Sequence, residues 1–276
     1  MICSEGEVQR KRPKIWGILN ITPDSFYDGG RYNTLESAVQ AGIRMVEEGA
    51  DVIDVGGEST RPGAQPVKAA VEIERVVPVI RELSRQIDCP ISIDTYKAPV
   101  AREAILAGAT IVNDISGLRF DPNMPHLVKE SGAKFVIMHI KGTPSDMQEN
   151  PYYEDTVAEI YEYFARRLDE LDSLGLNLSR AILDPGIGFG KRVFDNLIIL
   201  KELDRFKSFG LPIMIGSSRK SFIGKLLNDI PPEERLPGSL ASYAWAYFKG
   251  VDHLRVHDVR ESVQFLKILE AIENAK

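Results

Sequence analysis

Short apolar runs rich in Val, Ile and Leu recur along the chain. Between them lie longer stretches in which apolar residues return every three or four positions. The short runs predict strands at residues 14–20, 51–56, 90–95, 110–116, 134–140, 180–186, 211–217 and 253–258. The longer stretches predict helices, among them residues 35–48, 67–86, 99–107 and 155–174; in the first of these Leu35, Val39, Ile43 and Val46 fall on one face. Runs that are apolar at every position, such as Ile213-Met214-Ile215, suit parallel strands covered by helices on one side and packed on the other. Strict alternation of strand and helix admits either a doubly wound open sheet or a closed barrel. Eight units in roughly 250 residues match the barrel. The expected fold is therefore α/β, a single-domain (β/α)8 TIM barrel over residues 15–276. Residues 1–14 are expected to form an irregular or disordered polar tail.

Composition narrows what such a barrel does. A chain of 276 residues, 43% hydrophobic and 27% charged, buries about three quarters of its unfolded surface without needing a disulfide or metal. Its net charge of -6 argues against sequence-independent binding of nucleic acid, which rests on basic patches that neutralise phosphates. Cys3 and Cys89 are far apart and lack metal-ligand spacing, as expected of idle thiols in a reducing compartment. No segment approaches the ~20 apolar residues of a membrane span. The basic triplet Arg10-Lys11-Arg12 is followed by no signal-like apolar stretch. These features point to a cytoplasmic enzyme.

The polar residues gather where the predicted strands end. In order these are Asn20, Glu58 to Arg61, Asp94, Asn113-Asp114, His139, Asp184, Ser217 to Lys220, and Arg255 to Asp258. In barrels of this kind the C-terminal mouth carries the active site, while the opposite face serves stability. Helix capping accounts for one or two such residues, Ser217 and Ser218 first. It does not account for aspartates and an asparagine within strands. Asp94, Asn113 and Asp184 combine donors with acceptors, as a planar heterocycle with amidine-like N–H groups and a carbonyl requires. The competing reading is a metal pair, for which Asn20 and His257 are the remaining candidate ligands. Arg61, Lys220, Arg255 and His257 supply the cationic side, and strands seven and eight are where phosphate-binding barrels seat their anion. The Gly- and Pro-rich loops at 22–30 and 56–63 suit mobile lids.

Several motifs in the right order carry a resemblance. They are Ile18 to Phe26 (ILNITPDSF), Gly56 to Gly63 (GGESTRPG), Met138-His139 through Met147-Gln148 to Pro151, Asp184 to Lys191 (DPGIGFGK), Ser218-Arg219-Lys220-Ser221 and Arg255 to Asp258. Together they resemble the dihydropteroate synthases, a family of pterin-binding barrel enzymes, from about Ile15 to the C-terminus. The resemblance implies joining of 4-aminobenzoate to 6-hydroxymethyl-7,8-dihydropterin pyrophosphate, with release of pyrophosphate. It implies that Asp94, Asn113, Asp184 and Lys220 bond the pterin, that Arg255 stacks on it, and that Ile115, Met138, Phe189 and Gly216 line its slot. Thr60, Arg61, Arg255 and His257 would surround the pyrophosphate, whose Mg2+ would meet Asn20. Phe26, Pro62 and Ser221 would form the aminobenzoate pocket, with Asp28 on the closing loop. Asp94, Asp184, Lys220 and Arg61 would carry the catalysis. The resemblance further implies a homodimer, through residues 235–249 and 261–274, and sensitivity to sulfonamides. Two departures from the pattern stand out: Trp16 where methionine is common, and Tyr27 where serine is frequent.

Pyrophosphate departure followed by amine attack needs no covalent intermediate, so a Schiff-base role for Lys220 is not required. Two rival readings share the barrel. A pterin-binding methyltransferase would not need the anion pocket formed by Thr60-Arg61, residues 218–220 and 255–257. A non-catalytic pterin-binding protein would not need Phe26, Asp28 and Arg61.

Overall fold

Strands and helices alternate as expected in the computed structural model, which describes residues 10–22, 34–60 and 63–275. The strands are β1 (Lys14–Asn20), β2 (Val52–Gly56), β3 (Ile91–Asp94), β4 (Ile111–Asp114), β5 (Lys134–Met138), β6 (Ala181–Asp184), β7 (Met214–Ile215) and β8 (His253–Val256). The helices are α1 (Thr34–Glu47), α2 (Ala69–Gln86), α3 (Ala98–Ala107), α4 (Met124–Ser131), α5 (Thr156–Ser173), α6 (Val193–Lys201), α7 (Ser221–Leu226), α8 (Leu236–Phe248) and α9 (Val259–Glu273). Every strand pairing is parallel, in the order β6-β5-β4-β3-β2-β1-β8-β7. The ring closes through a bridge from Leu183 on β6 to Ile213, beside a 2.9 Å bond from the Leu183 N–H to the Pro212 carbonyl. β7 is shorter than its expected span of 211–217. Pro212 has no N–H to offer a ladder, and Gly216 already belongs to the mouth.

Strand period sorts the side chains. Residues such as Ile15, Ile53, Val55, Ile93 and Leu254 face outward and pack under the helices. The alternate residues Trp16, Val52, Ile111, Val136, Ile182 and Met214 form a separate apolar layer inside the ring. Trp16, one of the departures noted above, is fully buried there, and its indole N–H donates to His253 Nδ1 at 3.0 Å. Further toward the C-terminal ends the same inward positions turn polar, as Asp54, Asp94, Asn113 and Asp184. The barrel is thus a packed apolar plug with a polar upper storey. At the start of β1, Arg12 pairs with Asp51 at 2.9 Å, and the second Asp51 contact, 2.7 Å from the Ile15 N–H, pins the strand's entry.

A buried ionic cluster anchors the loop after β2. Lys97 Nζ lies 2.6 Å from Glu58 Oε2 and 2.5 Å from Glu72 Oε2, and Glu58 also accepts the Val67 N–H at 2.5 Å. Gly57 is needed because a Cβ there would stand 2.7 Å from Val76 Cγ1 and 2.9 Å from Glu72 Cγ. The close approach brings β2's exit against α2. Breaking a buried ion pair by removing one partner costs about 3–5 kcal/mol, because the other charge stays behind. Lys97→Met leaves two facing carboxylates and is expected to lower stability by about that amount. Urea unfolding measures it; an unchanged midpoint would show the cluster to be dispensable.

Candidate active site at the C-terminal mouth of the barrel

One slot at the centre of the mouth is lined by Thr60, Asp94, Asn113, Ile115, Met138, Asp184, Phe189, Gly216, Lys220 and Arg255, together with Gly186 and Ile187. Each strand from β3 to β8 brings at least one of these residues, at its C-terminal end or in the loop that follows. The first ten are the residues singled out from the sequence. The slot's chemistry nevertheless rests on one that was not. Asp54, in the middle of β2 and fully buried, accepts from Arg255 Nε at 2.5 Å and from Asn113 Nδ2 at 3.0 Å. Arg255 Nη2 donates to Asp94 Oδ2 at 2.6 Å. The guanidinium therefore bridges two carboxylates beneath the slot. The only signal for Asp54 in the sequence is a charged residue at an inward position of an otherwise apolar strand.

The walls are apolar and close. Ile115, Met138 and Phe189 are buried in one cluster with Ile140 and Met147. Lys220 Nζ sits 4.1 Å from the centre of the Phe189 ring. Asp184 Oδ1 accepts the Gly186 N–H at 2.7 Å. Gly186 has φ +70, and a Cβ there would fall 2.0 Å from the His139 carbonyl oxygen, so no other residue keeps this turn. The result is a narrow opening lined by carboxylates, a carboxamide and an ammonium.

Burial dominates the ionisation of these groups. Loss of water raises the Asp94 carboxyl to about 7; Arg255 opposes the shift, and Asp54, Glu72 and Asp114 reinforce it. Burial also raises Asp184, against the Gly186 N–H, Lys220 and Lys191. Lys220 is lowered to about 8 by desolvation and by Arg255, with Asp184 and Asp94 pulling the other way. Burial thus pushes the acid up and the ammonium down, toward each other. Groups so perturbed in a cleft mark functional sites.

The rim holds other expected residues. Asn20 ends β1 in register with Gly56, and a Cβ on Gly56 would lie 3.5 Å from both Asn20 Oδ1 and Asp94 Cβ. Asn20 therefore stands over the Asp94 edge. Ser218 Oγ lies 2.9 Å from His257 Nδ1 and accepts the His257 N–H at 3.1 Å. The imidazole is held below its ordinary range by desolvation, then by Arg255 and Arg219. Ser221 is exposed at the start of α7. Gly63 donates to the Pro144 carbonyl at 3.1 Å, so the loops after β2 and β5 meet above the mouth.

Two strand-end residues turn away from the slot. Arg219, expected beside Lys220 at the anion, is engaged by both Asp258 oxygens, with Nε 3.0 Å from Oδ2. It adopts φ 54, and that turn directs Lys220 inward and Arg219 outward. His139 packs edge-on against Tyr163 at 4.9 Å and meets Lys191 Nζ at 3.0 Å. Lys191, fully enclosed, also donates to the carbonyls of His139 and Phe189 and so staples the wall behind the slot. Phe26, Asp28, Arg61 and Pro62 lie outside the described residues.

No group of three or more His, Cys, Asp or Glu among the described residues could hold a metal ion. Among the described residues the rim offers instead a carboxamide oxygen, on Asn20. That donor suits a magnesium ion which keeps waters and takes its remaining ligands from a substrate's phosphates.

Comparison with known proteins gives the same family throughout. The family described as "Pterin binding enzyme" matches residues 16–257. The chain is similar to the dihydropteroate synthase of Synechocystis, 44% identical over 262 residues, covering 95% of this chain and 91% of that protein. It is also 44% identical over 264 residues to the dihydropteroate synthase of Escherichia coli K12, covering 96% and 93%. Among solved structures, Xanthomonas albilineans dihydropteroate synthase with 4-aminobenzoic acid superposes with a TM-score of 0.91 at 42% identity, covering 96% of this chain and 94% of that one. The Yersinia pestis enzyme in complex with a sulfonamide drug gives 0.90 at 42% identity, covering 96% and 95%.

The ionic bridge beneath the slot makes a spectroscopic prediction. Asp54→Asn removes one negative charge beside Asp94, so Asp94 should titrate below the value of about 7 that burial chiefly gives it. Carboxyl carbon NMR across pH 4–9 reads this directly. An Asp94 titration that does not move would uncouple the two residues.

Proposed function

The chain belongs to the dihydropteroate synthase family of pterin-binding enzymes, and we propose how its own residues conduct that reaction. The substrates are 6-hydroxymethyl-7,8-dihydropterin pyrophosphate and 4-aminobenzoate; the products are 7,8-dihydropteroate and pyrophosphate. The observation that carries this reading is the convergence of Asp94, Asn113, Asp184, Lys220 and Arg255 on one narrow slot walled by Ile115, Met138 and Phe189.

In this reading the ring lies flat in the slot. The Asp94 and Asp184 carboxylates accept from its amino and amide-like N–H groups, while Asn113 and Lys220 meet its carbonyl and ring nitrogens. Arg255, fixed at both ends by Asp54 and Asp94, offers its flat face to the ring. The pyrophosphate projects toward Thr60, Arg61 and His257, with Arg255 nearby. The bond from the methylene carbon to oxygen breaks with its electron pair leaving on pyrophosphate. Positive charge then spreads from the methylene into the ring, where Asp94 and Asp184 stabilise it. The amine of aminobenzoate, for which Phe26, Pro62 and Ser221 would form the pocket with Asp28 on the closing loop, attacks the methylene and passes its proton to the released pyrophosphate. No protein nucleophile is used. Asn20 would hold a magnesium ion, which would supply positive charge to the leaving group. His257, neutral when the site is free, is placed to take up a proton as the anion arrives.

The aminobenzoate pocket beside this slot is where a sulfonamide, imitating aminobenzoate, would compete. A reducing, cytoplasmic location goes with the reading: among the described residues Cys89 is a free thiol, and no helix is long and apolar enough to cross a membrane.

The assay follows from the chemistry. With magnesium, the chain should release pyrophosphate and form dihydropteroate. Asp94→Asn should lose pterin affinity on the order of 2 kcal/mol, because a charge-assisted acceptor is gone. Arg61→Ala should weaken pyrophosphate-bearing ligands and leave bare pterins nearly untouched. Absence of product with pterin still bound would refute the catalytic reading. Equal losses for both ligand types would remove Arg61 from the anion pocket.

We further infer that the enzyme works as a homodimer. α8 exposes Trp245 and Phe248, and α9 exposes Ile268 and Ile272, all about half or more accessible. Large apolar side chains gathered on adjacent helices mark association surfaces. Light scattering should report a dimer that Trp245→Glu with Ile268→Glu converts to monomer. A monomeric parent protein would contradict this.

A further inference from the structure

The N-terminal end of the barrel, opposite the mouth, holds a cavity of about 210 Å³ that the reaction does not use. That is about seven waters' worth of space at ~30 Å³ each. Its floor is the inner apolar layer, with Trp16, Val52, Ile111 and Ile182 among its lining, and the His253 ring beside Trp16. Lys11, Arg12, Lys14, Lys134 and Arg180 surround the opening. Lys14 begins β1 and Lys134 begins β5, four places apart in the eight-stranded ring, so they face each other across it.

The charge of this rim runs against the chain's net -6. The single carboxylate in the lining, Asp252, already accepts the Ile213 N–H at 2.9 Å. Asp51, close by, is taken by Arg12 and the Ile15 N–H. Lys11, Lys14 and Lys134 form no ion pair with any carboxylate among the described residues. Cations converging on one concavity repel each other and raise the local concentration of anions.

The floor adds a fixed donor. The Trp16 indole N–H can only donate, so His253 Nδ1, 3.0 Å away, must hold a lone pair. The neutral ring then carries its proton on Nε2, which has no bonding partner among the described residues. Protonating Nδ1 would break the Trp16 bond. In agreement, burial and the nearby Lys14 and Lys134 push His253 down to about 4. Solvated lysines at strand starts need neither a cavity beneath them nor a buried histidine locked in one tautomer.

We propose that this cavity is a second ligand site, which takes a small multiply charged phosphate, pyrophosphate or a phosphate ester in size and charge. Its oxygens would accept from His253 Nε2 and from Lys14, Lys134 and Arg180. The inner apolar layer separates it from the mouth. The ligand therefore acts on the barrel's stability, or on the mouth through the strands, without competing for the pterin slot.

The chain's only two tryptophans are Trp16 and the half-exposed Trp245, so Trp245→Phe leaves Trp16 as sole fluorescent reporter. Titrating this variant with sodium pyrophosphate, inorganic phosphate and, at matched ionic strength, sodium chloride tests the site. Saturable change with pyrophosphate or phosphate, absent with chloride, is expected; the tighter of the two distinguishes a diphosphate from a single phosphate group. Adding Lys14→Gln and Lys134→Gln, residues outside the catalytic machinery, should weaken binding roughly tenfold or more while leaving turnover intact. Three results would overturn the proposal: no saturable response, a response that chloride reproduces, or one that the double lysine variant retains in full. The last would trace the signal to the mouth.

Discussion

Arg255 joined to Asp54 and Asp94 inside the barrel is the interaction on which the mouth depends. Two carboxylates this close, one of them fully buried, would repel each other and shed their charge by protonation if nothing lay between them. The guanidinium sets their spacing, with Nε on Asp54 at 2.5 Å and Nη2 on Asp94 at 2.6 Å. Asn113 completes the arrangement from the next strand but one by donating to the same Asp54 oxygen. Such a cluster is a poor way to stabilise a fold. It is a good way to hold acceptors in place before a ligand arrives, where their orientation acts without further rearrangement.

The two ends of the barrel follow from one alternation. Inward positions are apolar through the middle layer and polar above it, so a packed plug separates the mouth from the base. Above the plug, burial brings an acid and an ammonium toward neutrality from opposite sides. Below it, the strand starts carry lysines around a histidine that a tryptophan keeps neutral. Trp16 thus fills the core and sets the character of the base at once. The apolar bulk of the layer is ordinary barrel packing; the Trp16–His253 bond adds a fixed polar contact to it.

Much of this was legible in the sequence because strands betray themselves by β-branched runs and their mouths by polar ends. Asp94, Asn113, Asp184 and Arg255 stand at strand ends, Lys220 in the turn after β7, and they do converge. What stayed hidden was whatever depends on side-chain direction. Asp54 sits mid-strand, where polarity is rare, and only its inward parity could have disclosed it. Arg219 and Lys220 are neighbours of like charge, and only the left-handed turn at Arg219 shows that one faces Asp258 and the other the slot. His139 ends its strand like the others, yet Tyr163 and Lys191 draw it behind the wall. His253 went unremarked because it begins a strand, the end of the barrel where chemistry is not expected.

The most direct test of the account is the pH dependence of stability in Arg255→Met, which keeps the side chain's bulk and removes its charge. Without the guanidinium, the Asp94 carboxyl, which burial already raises in the parent, should rise still further above its unfolded value. The folded protein then binds more protons, and stability falls as pH rises through the interval between the two values. The melting-temperature deficit relative to the parent should stay level up to about pH 7, where the parent's own Asp94 titrates, and grow above it. A deficit of the same size at every pH would mean that Arg255 contributes packing alone and does not hold the carboxylates in charge.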